Sequence, residues 1–211
     1  MATTYRDRAE AGNALAERLT PLAGRPDVTV LGLVRGGVPV AAAVADRLGT
    51  PLDVLVVRKL GVPWAPEVAF GAIGPGGVEV LNEAYAARLD RADVAEVVRR
   101  ERAEADRRER LYRRDRPPLD LTGRVAVIAD DGLATGASAR AAVAVARRLG
   151  ADRVVVAVPV GAPDAYAALA DEADEVVCPE RPTGFGAVSQ YYTDFHEVSD
   201  EEVLTALGPA D

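Results

Sequence analysis

Residues 125–138 read Val-Ala-Val-Ile-Ala-Asp-Asp-Gly-Leu-Ala-Thr-Gly-Ala-Ser, and no other stretch of this chain indicates its fold as clearly. An apolar run of strand length ends in two adjacent carboxylates, Asp130 and Asp131, and a Gly/Thr/Ser loop then leads directly into Ala-rich helical sequence. This order is typical of a phosphate site, because small residues let backbone N–H groups approach an anion and a helix N-terminus carries partial positive charge. The stretch therefore predicts a phosphate-binding loop over residues 132–138.

The two carboxylates must serve another part of the ligand, because they would repel a phosphate. They suit hydroxyl groups or a metal ion, so we expect phosphate at one end of the site and a sugar diol at the other. The competing interpretation is an ordinary strand–helix turn in which Thr135 or Ser138 caps the helix. A Walker-type loop is disfavoured because no lysine follows the glycines, and a dinucleotide fingerprint is absent after the first strand.

This order of residues resembles the phosphoribosyl-diphosphate (PRPP) signature of the type I phosphoribosyltransferases, in which apolar residues and two acids precede a D-G-x-x-T-G-x-[ST]-like loop. Residues 33–40 (Leu-Val-Arg-Gly-Gly-Val-Pro-Val), 57–61 (Val-Arg-Lys-Leu-Gly) and 191–195 (Tyr-Tyr-Thr-Asp-Phe) are similar to a bacterial group of predicted phosphoribosyltransferases without an assigned base. The resemblance covers nearly the whole chain. It implies that the PRPP-binding residues are Asp130, Asp131, Gly132, Leu133, Ala134, Thr135, Gly136, Ala137, Ser138, Gly36 and Gly37.

Arg35 and Lys59 are the predicted catalytic residues. Arg35 opens a Gly-Gly loop where the family has its pyrophosphate loop, and a guanidinium can bind such an anion through two hydrogen bonds. Lys59 is the one lysine beside 24 arginines, which suggests a need for a compact, mobile ammonium. The resemblance implies that both groups meet the leaving pyrophosphate. Residues 61–67 match the family's mobile catalytic loop, although Trp64 is also compatible with a packed loop.

The C-terminal segment 179–211, alone or with residues 1–19, is predicted to form a hood that selects the acceptor. Its candidate stacking residues are Phe185, Tyr191 and Tyr192, since an aromatic ring can stabilise a stacked base by roughly 1–3 kcal/mol.

One departure from the family pattern bears on the acceptor. Ala134 stands where members that act on 6-oxopurines commonly carry Asp, so hypoxanthine and guanine are disfavoured. Phe195 suits a hood or a core equally well. We expect His196, the single histidine, to be a surface or hood residue rather than a catalytic base.

The implied function is transfer of the 5-phosphoribosyl group of PRPP to a nitrogenous base or related nitrogen nucleophile, with release of pyrophosphate. Mg²⁺ is the implied cofactor, held mainly by PRPP and near Asp130 and Asp131. The alternative is a PRPP- or nucleotide-sensing regulatory protein without turnover, because a fold does not fix a function. A hydrolase that uses the two Asp is disfavoured because their spacing is not D-x-D. A homodimer is compatible with the sequence.

Composition is consistent with one domain over residues 1–211, with a core over about 20–178. The chain has 49% hydrophobic residues, which is ample for such a core. A net charge of −8 argues against nucleic-acid partners. Since no apolar run reaches the length of a bilayer and the N-terminus is polar, we expect a cytoplasmic protein with no membrane partner.

The predicted fold class is α/β, with a mostly parallel, doubly wound sheet flanked by helices and a small C-terminal hood. The predicted strands are 28–34, 52–57, 68–73, 78–81, 125–130, 153–160 and 175–178. The predicted helices are 4–19, 40–48, 83–116, 139–149, 163–170 and one beginning at the capping box 199–202. Residues 99–116 hold nine arginines and five acids, which favours a solvated helix with Glu/Arg pairs over a partner-binding face.

Overall fold

The computed structural model describes residues 4–209, apart from the side chains of residues 66 and 67. Its eight strands are β1 (Val28–Leu33), β2 (Leu52–Leu55), β3 (Arg58–Val62), β4 (Ala65–Ile73), β5 (Glu79–Leu81), β6 (Val125–Ala129), β7 (Arg153–Ala157) and β8 (Glu175–Val177). Its seven α-helices are α1 (Arg8–Arg18), α2 (Gly37–Leu48), α3 (Glu83–Ala86), α4 (Arg91–Arg113), α5 (Ala137–Arg148), α6 (Pro163–Ala170) and α7 (Asp200–Leu207).

The main sheet is parallel and lies between two helical layers. Its strand order is β2-β1-β6-β7-β8, and all its neighbouring strands run in the same direction. Every residue of β1 and β6 is buried, because helices cover both faces of the sheet. On one face, α1 and α2 pack against side chains such as Val30 and Val127. On the other, α5 and α6 pack against Ile128 and Val156, so the predicted doubly wound α/β class is confirmed.

The position of the candidate site follows from this strand order. The chain leaves β1 towards β2 on one side, whereas β6 lies on the other side of β1. In open parallel sheets, ligands bind beyond the carboxyl ends of strands at such a switch in direction. The Arg35 loop follows β1 and the acid pair follows β6, so both lie at this switch.

A second, three-stranded antiparallel sheet corrects the prediction for residues 61–67. We expected a loop over these residues, but β3 and β4 form a hairpin with only Pro63 and Trp64 in the turn. The strands form because Leu60, Val62 and Phe70 are buried in a core with α4 and α7. Tertiary packing therefore overrides the local turn propensity. The predicted pairing of residues 68–73 with 78–81 is confirmed by β4 and β5.

The prediction of one continuous helix over residues 83–116 is wrong. The segment is divided into α3 and α4, because the Asp90 carboxylate accepts hydrogen bonds from the backbone N–H groups of Ala92 at 2.8 Å and Asp93 at 3.3 Å. This N-cap starts a new helix where the periodicity alone indicates none. The other predicted elements agree to within four residues at each end, and the Ser199/Glu202 capping box starts α7 as predicted.

The N-terminal segment is bound to the C-terminal one. The Tyr5 N–H donates to the Tyr191 carbonyl at 2.9 Å, and the Thr193 N–H donates to the Tyr5 carbonyl at 2.8 Å. A 3₁₀ turn, Val188–Tyr191, is the regular element between β8 and α7. None of the helices among the described residues is long and apolar enough to cross a bilayer.

Phe70 tests whether the small sheet belongs to the cooperative core. Its side chain is fully buried, whereas Val68 on the same strand is 42% exposed. Phe70→Ala is expected to lower the free energy of unfolding by about 3–5 kcal/mol through lost burial and a residual cavity. Urea denaturation measures this, with Val68→Ala as the matched control. A loss no larger than that of the control would show that the small sheet is not part of that core.

Candidate functional site

The loop after β6 leads directly into the N-terminus of α5. Leu133 anchors it, because this buried residue donates its N–H to the Val160 carbonyl at 2.9 Å and accepts from the Ala162 N–H at 2.8 Å. Residues 134 and 135 beyond it are exposed. Gly136 has a φ of 76°, a left-handed conformation that favours glycine. The positive end of α5 therefore lies beside this loop, and binding of an anion there stays a prediction.

The loop after β1 lies directly against the acid pair. A Cβ at Gly36 would collide with the Asp131 carboxylate, and a Cβ at Gly37 would lie 2.8 Å from the Asp130 Cα. The two glycines are therefore required by close approach. The structure brings together two loops that the sequence presents almost 100 residues apart.

Arg8 is a site residue that sequence reasoning missed. Its Nε lies 2.9 Å from Asp131 Oδ2, its Nη1 donates to the His196 carbonyl at 2.8 Å, and its guanidinium lies 4.0 Å from the centre of the Phe195 ring. The side chain is only 8% exposed. Nothing local distinguishes it from 23 other arginines, so burial on α1 is the signal that identifies it.

Burial and mutual repulsion raise the pKa values of the acid pair. Burial raises the pKa of Asp130 well above its usual range, and the Asp131 charge adds to the effect. Burial also raises the pKa of Asp131, but the Arg8 guanidinium opposes this through its charge and its hydrogen bond. Arg8 thus favours an ionised carboxylate at Asp131.

Arg35 faces the C-terminal segment. It forms ion pairs with Glu197 and, at 3.6 Å, with Asp200 on α7. It also lines an open cavity of about 380 Å³. The other residues lining this cavity are Arg8, Gly36, Asp131, Phe195, His196, Glu197 and Val198.

Lys59 does not line the cavity beside Arg35. It lines a separate cavity of about 430 Å³ between the ends of β1 and β3, helix α4 and the start of α5. Ser138, the last residue of the predicted PRPP loop, borders this cavity. The Lys59 cavity therefore reaches the last residue of the predicted phosphate loop, whereas Arg35 and Asp131 line the other cavity.

The predicted hood aromatics pack mainly on one another. Tyr191 and Tyr192 are each only 7% exposed. The Tyr191 ring stacks on Phe185 at 5.7 Å, and Tyr192 lies 5.0 Å from Phe195. The Tyr192 hydroxyl also donates to the Asp131 carbonyl at 2.6 Å. These rings fill a small core with Tyr5, and their contact with an acceptor stays a prediction.

His196 is exposed, as expected, and lies between two carboxylates. Its Nδ1 is 2.9 Å from Asp194 and its Nε2 is 2.8 Å from Glu202. The hydrogen bond to Asp194, which has the larger effect, and the one to Glu202 both raise the pKa of His196. Within residues 4–209, no group of three or more His, Cys, Asp or Glu side chains is placed to hold a metal ion.

Comparison with known proteins gives consistent matches. The family model described as phosphoribosyl transferase domain matches residues 3–196. A Mycobacterium tuberculosis protein named "Putative phosphoribosyl transferase" is 54% identical over 208 residues, which are 98% of this chain and 47% of that protein. The chain thus spans about half the length of the curated relatives that it matches.

Two solved structures extend the comparison. The crystal structure of TT1426 from Thermus thermophilus has 48% sequence identity and a TM-score of 0.90, and the match covers 97% of this chain and 98% of that one. AQ2163 from Aquifex aeolicus has 12% identity and a TM-score of 0.50, over 84% of this chain and 77% of that one. The second likeness concerns the fold alone.

The raised pKa of Asp130 predicts that this carboxylate destabilises the folded chain at neutral pH. A carboxyl with a higher pKa in the folded than in the unfolded state contributes stability below its unfolded value, near 3.8, and loses it as the pH rises through the folded value. Asp130→Asn is therefore expected to raise the free energy of unfolding at pH 7. The gain should disappear below pH 3.8 in urea denaturation.

Arg8→Gln is the contrasting control. It leaves the Asp131 carboxylate without its cation, so it should destabilise the chain at pH 7 by roughly 1.5–3 kcal/mol. The loss should shrink at low pH, where Asp131 is protonated. Stabilisation by Arg8→Gln, or a pH-independent effect of Asp130→Asn, would contradict this account of the acid pair.

Proposed function

Because the chain belongs to the phosphoribosyl transferase family, we propose that it transfers the 5-phosphoribosyl group of PRPP to a nitrogenous base or related nitrogen nucleophile and releases pyrophosphate. One observation carries the proposal. The acid pair after β6 adjoins both the loop that leads through Gly136 into α5 and the Gly36-Gly37 loop. A diol-binding group thus adjoins two candidate anion loops, which matches a sugar with phosphate groups on both sides.

Each part of PRPP has a matching group in this arrangement. The backbone N–H groups of residues 134–138 and the Thr135 and Ser138 hydroxyls would bind the 5-phosphate. The carboxylates of Asp130 and Asp131 would accept hydrogen bonds from the ribose hydroxyls. Arg8 supports the second carboxylate, since it holds the Asp131 side chain in place and favours its charged form.

The proposed chemistry requires little covalent participation by the protein. The bond between C1 of the ribose and the pyrophosphate oxygen breaks, its electron pair leaves with pyrophosphate, and the acceptor nitrogen forms the new bond to C1. The protein orients the two reactants, stabilises the leaving charge and excludes water. Lys59 would stabilise that charge, and Arg35 would join it by exchanging Glu197 for a phosphate oxygen.

Mg²⁺ suits this site as an ion carried by the substrate. Asp130 and Asp131 are two adjacent oxygen donors, and the part of the chain that the structure describes adds no third metal-binding side chain beside them. Mg²⁺ commonly binds through one or two carboxylates together with substrate phosphates, so the donor set fits. When bound, the ion would neutralise part of the pyrophosphate charge. Asp130 and Asp131 would hold it from the protein side.

The acceptor is proposed to lie under the C-terminal segment, near the cavity that Arg35 lines. Ala134 supplies no carboxylate for a 6-oxopurine nitrogen, and the Tyr191 and Tyr192 rings are committed largely to internal packing. Recognition would then rely on backbone hydrogen bonds and on Phe185, which is only partly buried. The alternative function is binding of PRPP or a nucleotide without turnover, because a fold does not fix a function.

A base panel separates the two functions. Purified chain with Mg-PRPP should release pyrophosphate with at least one base, and hypoxanthine and guanine should be poor acceptors because residue 134 is Ala. A coupled pyrophosphate assay with adenine, guanine, hypoxanthine, uracil and orotate measures this. PRPP binding by calorimetry without release from any base would favour the sensing protein, and efficient hypoxanthine turnover would contradict the proposed acceptor site.

Lys59→Ala tests the leaving-group role. If Lys59 stabilises charge that grows on pyrophosphate, its removal should lower kcat on the order of 10²-fold, with a much smaller change in PRPP affinity. Steady-state kinetics and calorimetry on the active acceptor provide both values, and Lys59→Arg is the charge-preserving control. Equal losses in turnover and PRPP binding would contradict a role confined to the transition state.

A further inference from the structure

We propose that Arg100 and Arg108 of helix α4 complete a pyrophosphate subsite around Lys59. This inference rests on the proposed phosphoribosyl transfer and names residues that bind its leaving group. It also gives a role to the arginine-rich segment that the sequence predicts to be only a solvated helix.

The cavity beside Lys59 is strongly basic. Four cationic side chains line it, against one carboxylate, in a chain whose net charge is −8. They are Arg58, Lys59, Arg100 and Arg108, and the carboxylate is Glu101. Such a local concentration of positive charge in an acidic protein indicates an anionic ligand.

Glu101 holds two of these cations in position. It is 7% exposed, and its Oε2 lies 2.9 Å from Arg58 Nε and 2.7 Å from Arg58 Nη2. Its Oε1 accepts from Arg100 Nε at 3.0 Å. Each guanidinium retains N–H groups that have no partner among the described residues. A buried carboxylate therefore orients two guanidinium groups whose free donors remain available to a ligand.

The arginines of α4 that line the cavity each have a sequence neighbour, also an arginine, that does not line it. Arg108 and Arg107 both pair with Glu104, at 2.6 Å and 2.8 Å. Of these two arginines, Arg108 lines the cavity and Arg107 does not. Arg108 is 26% exposed and Arg107 is 55% exposed. Arg100 lies eight residues before Arg108, so the two share a face of α4. Arg99, next to Arg100, pairs with Glu96 and does not line the cavity, although the two side chains are similarly exposed, at 76% for Arg99 and 64% for Arg100.

The chemistry of the cavity fits pyrophosphate better than a neutral ligand or a carboxylate base. Guanidinium groups bind phosphate oxygens through paired hydrogen bonds, and a diphosphate offers enough oxygens and charge for several cations. Val34 and Ser138 border the cavity, so it reaches both the end of β1 and the predicted phosphate loop. Arg100, Arg108 and Arg35 are each paired with a glutamate through part of the guanidinium, and Lys59 adds an ammonium to the same cavity as Arg100 and Arg108.

Calorimetric titration with Mg-pyrophosphate tests the proposal without knowledge of the acceptor. Arg108→Gln should weaken pyrophosphate binding about tenfold or more, because a hydrogen bond between charged groups is lost. Arg107→Gln, which removes the neighbouring charge and the same type of Glu104 pair, should change it less than about twofold. Arg100→Gln and its neighbour Arg99→Gln form a second matched pair, and Arg108→Lys should recover part of the affinity.

The outcomes distinguish this inference from the proposed function. Equal weakening by Arg107→Gln and Arg108→Gln would overturn the proposed subsite and would indicate that the positive charge of α4 as a whole attracts pyrophosphate. Unchanged pyrophosphate affinity in both Arg100→Gln and Arg108→Gln would also overturn it. Absence of pyrophosphate binding by the wild-type chain would also overturn it. If binding depends on Arg108 but no base supports turnover, the subsite stands and the transferase proposal fails. If turnover occurs but the Arg108 variant binds normally, only the subsite fails.

Discussion

Two adjacent carboxylates at the end of a buried strand constrain most of the site. Asp130 and Asp131 repel one another and lose hydration, so the surrounding chain must compensate for their charge. Arg8 supplies a cation to one of them. Gly36 leaves room for the Asp131 carboxylate, and Tyr192 donates a hydrogen bond to the backbone carbonyl of the same residue. The N-terminal helix, the β1 loop and the C-terminal segment thus all converge on a single pair of side chains.

In the candidate site, carboxylate side chains hold the cationic side chains in position. Glu101 fixes Arg58 and Arg100, while Glu197 holds Arg35. A guanidinium held by one carboxylate keeps its geometry but still has donors for a second partner, because it carries five N–H groups. The site therefore combines a net negative chain with local positive surfaces, and the attraction it offers to a polyanion is short-ranged.

The C-terminal segment has a structural role as well as a proposed functional one. Its aromatic rings form a small core with Tyr5, and its backbone pairs with the N-terminal segment. Phe195 supports the Arg8 guanidinium, which in turn contacts Asp131. Any acceptor specificity in this segment therefore acts through a framework that also shapes the proposed ribose end of the site.

The sequence by itself determined the features that depend on neighbouring residues. The acid pair, the loop to Ser138 and the helix that follows are contiguous, and the buried strands appear as unbroken apolar runs. The tertiary structure decided what depends on distant contacts. Arg8 reaches Asp131 across 123 positions, and Arg58 reaches Glu101 across 43. Among 24 arginines of identical chemistry, only packing selects the few that enter a site, because local pattern carries no record of which side chains the fold will bring together.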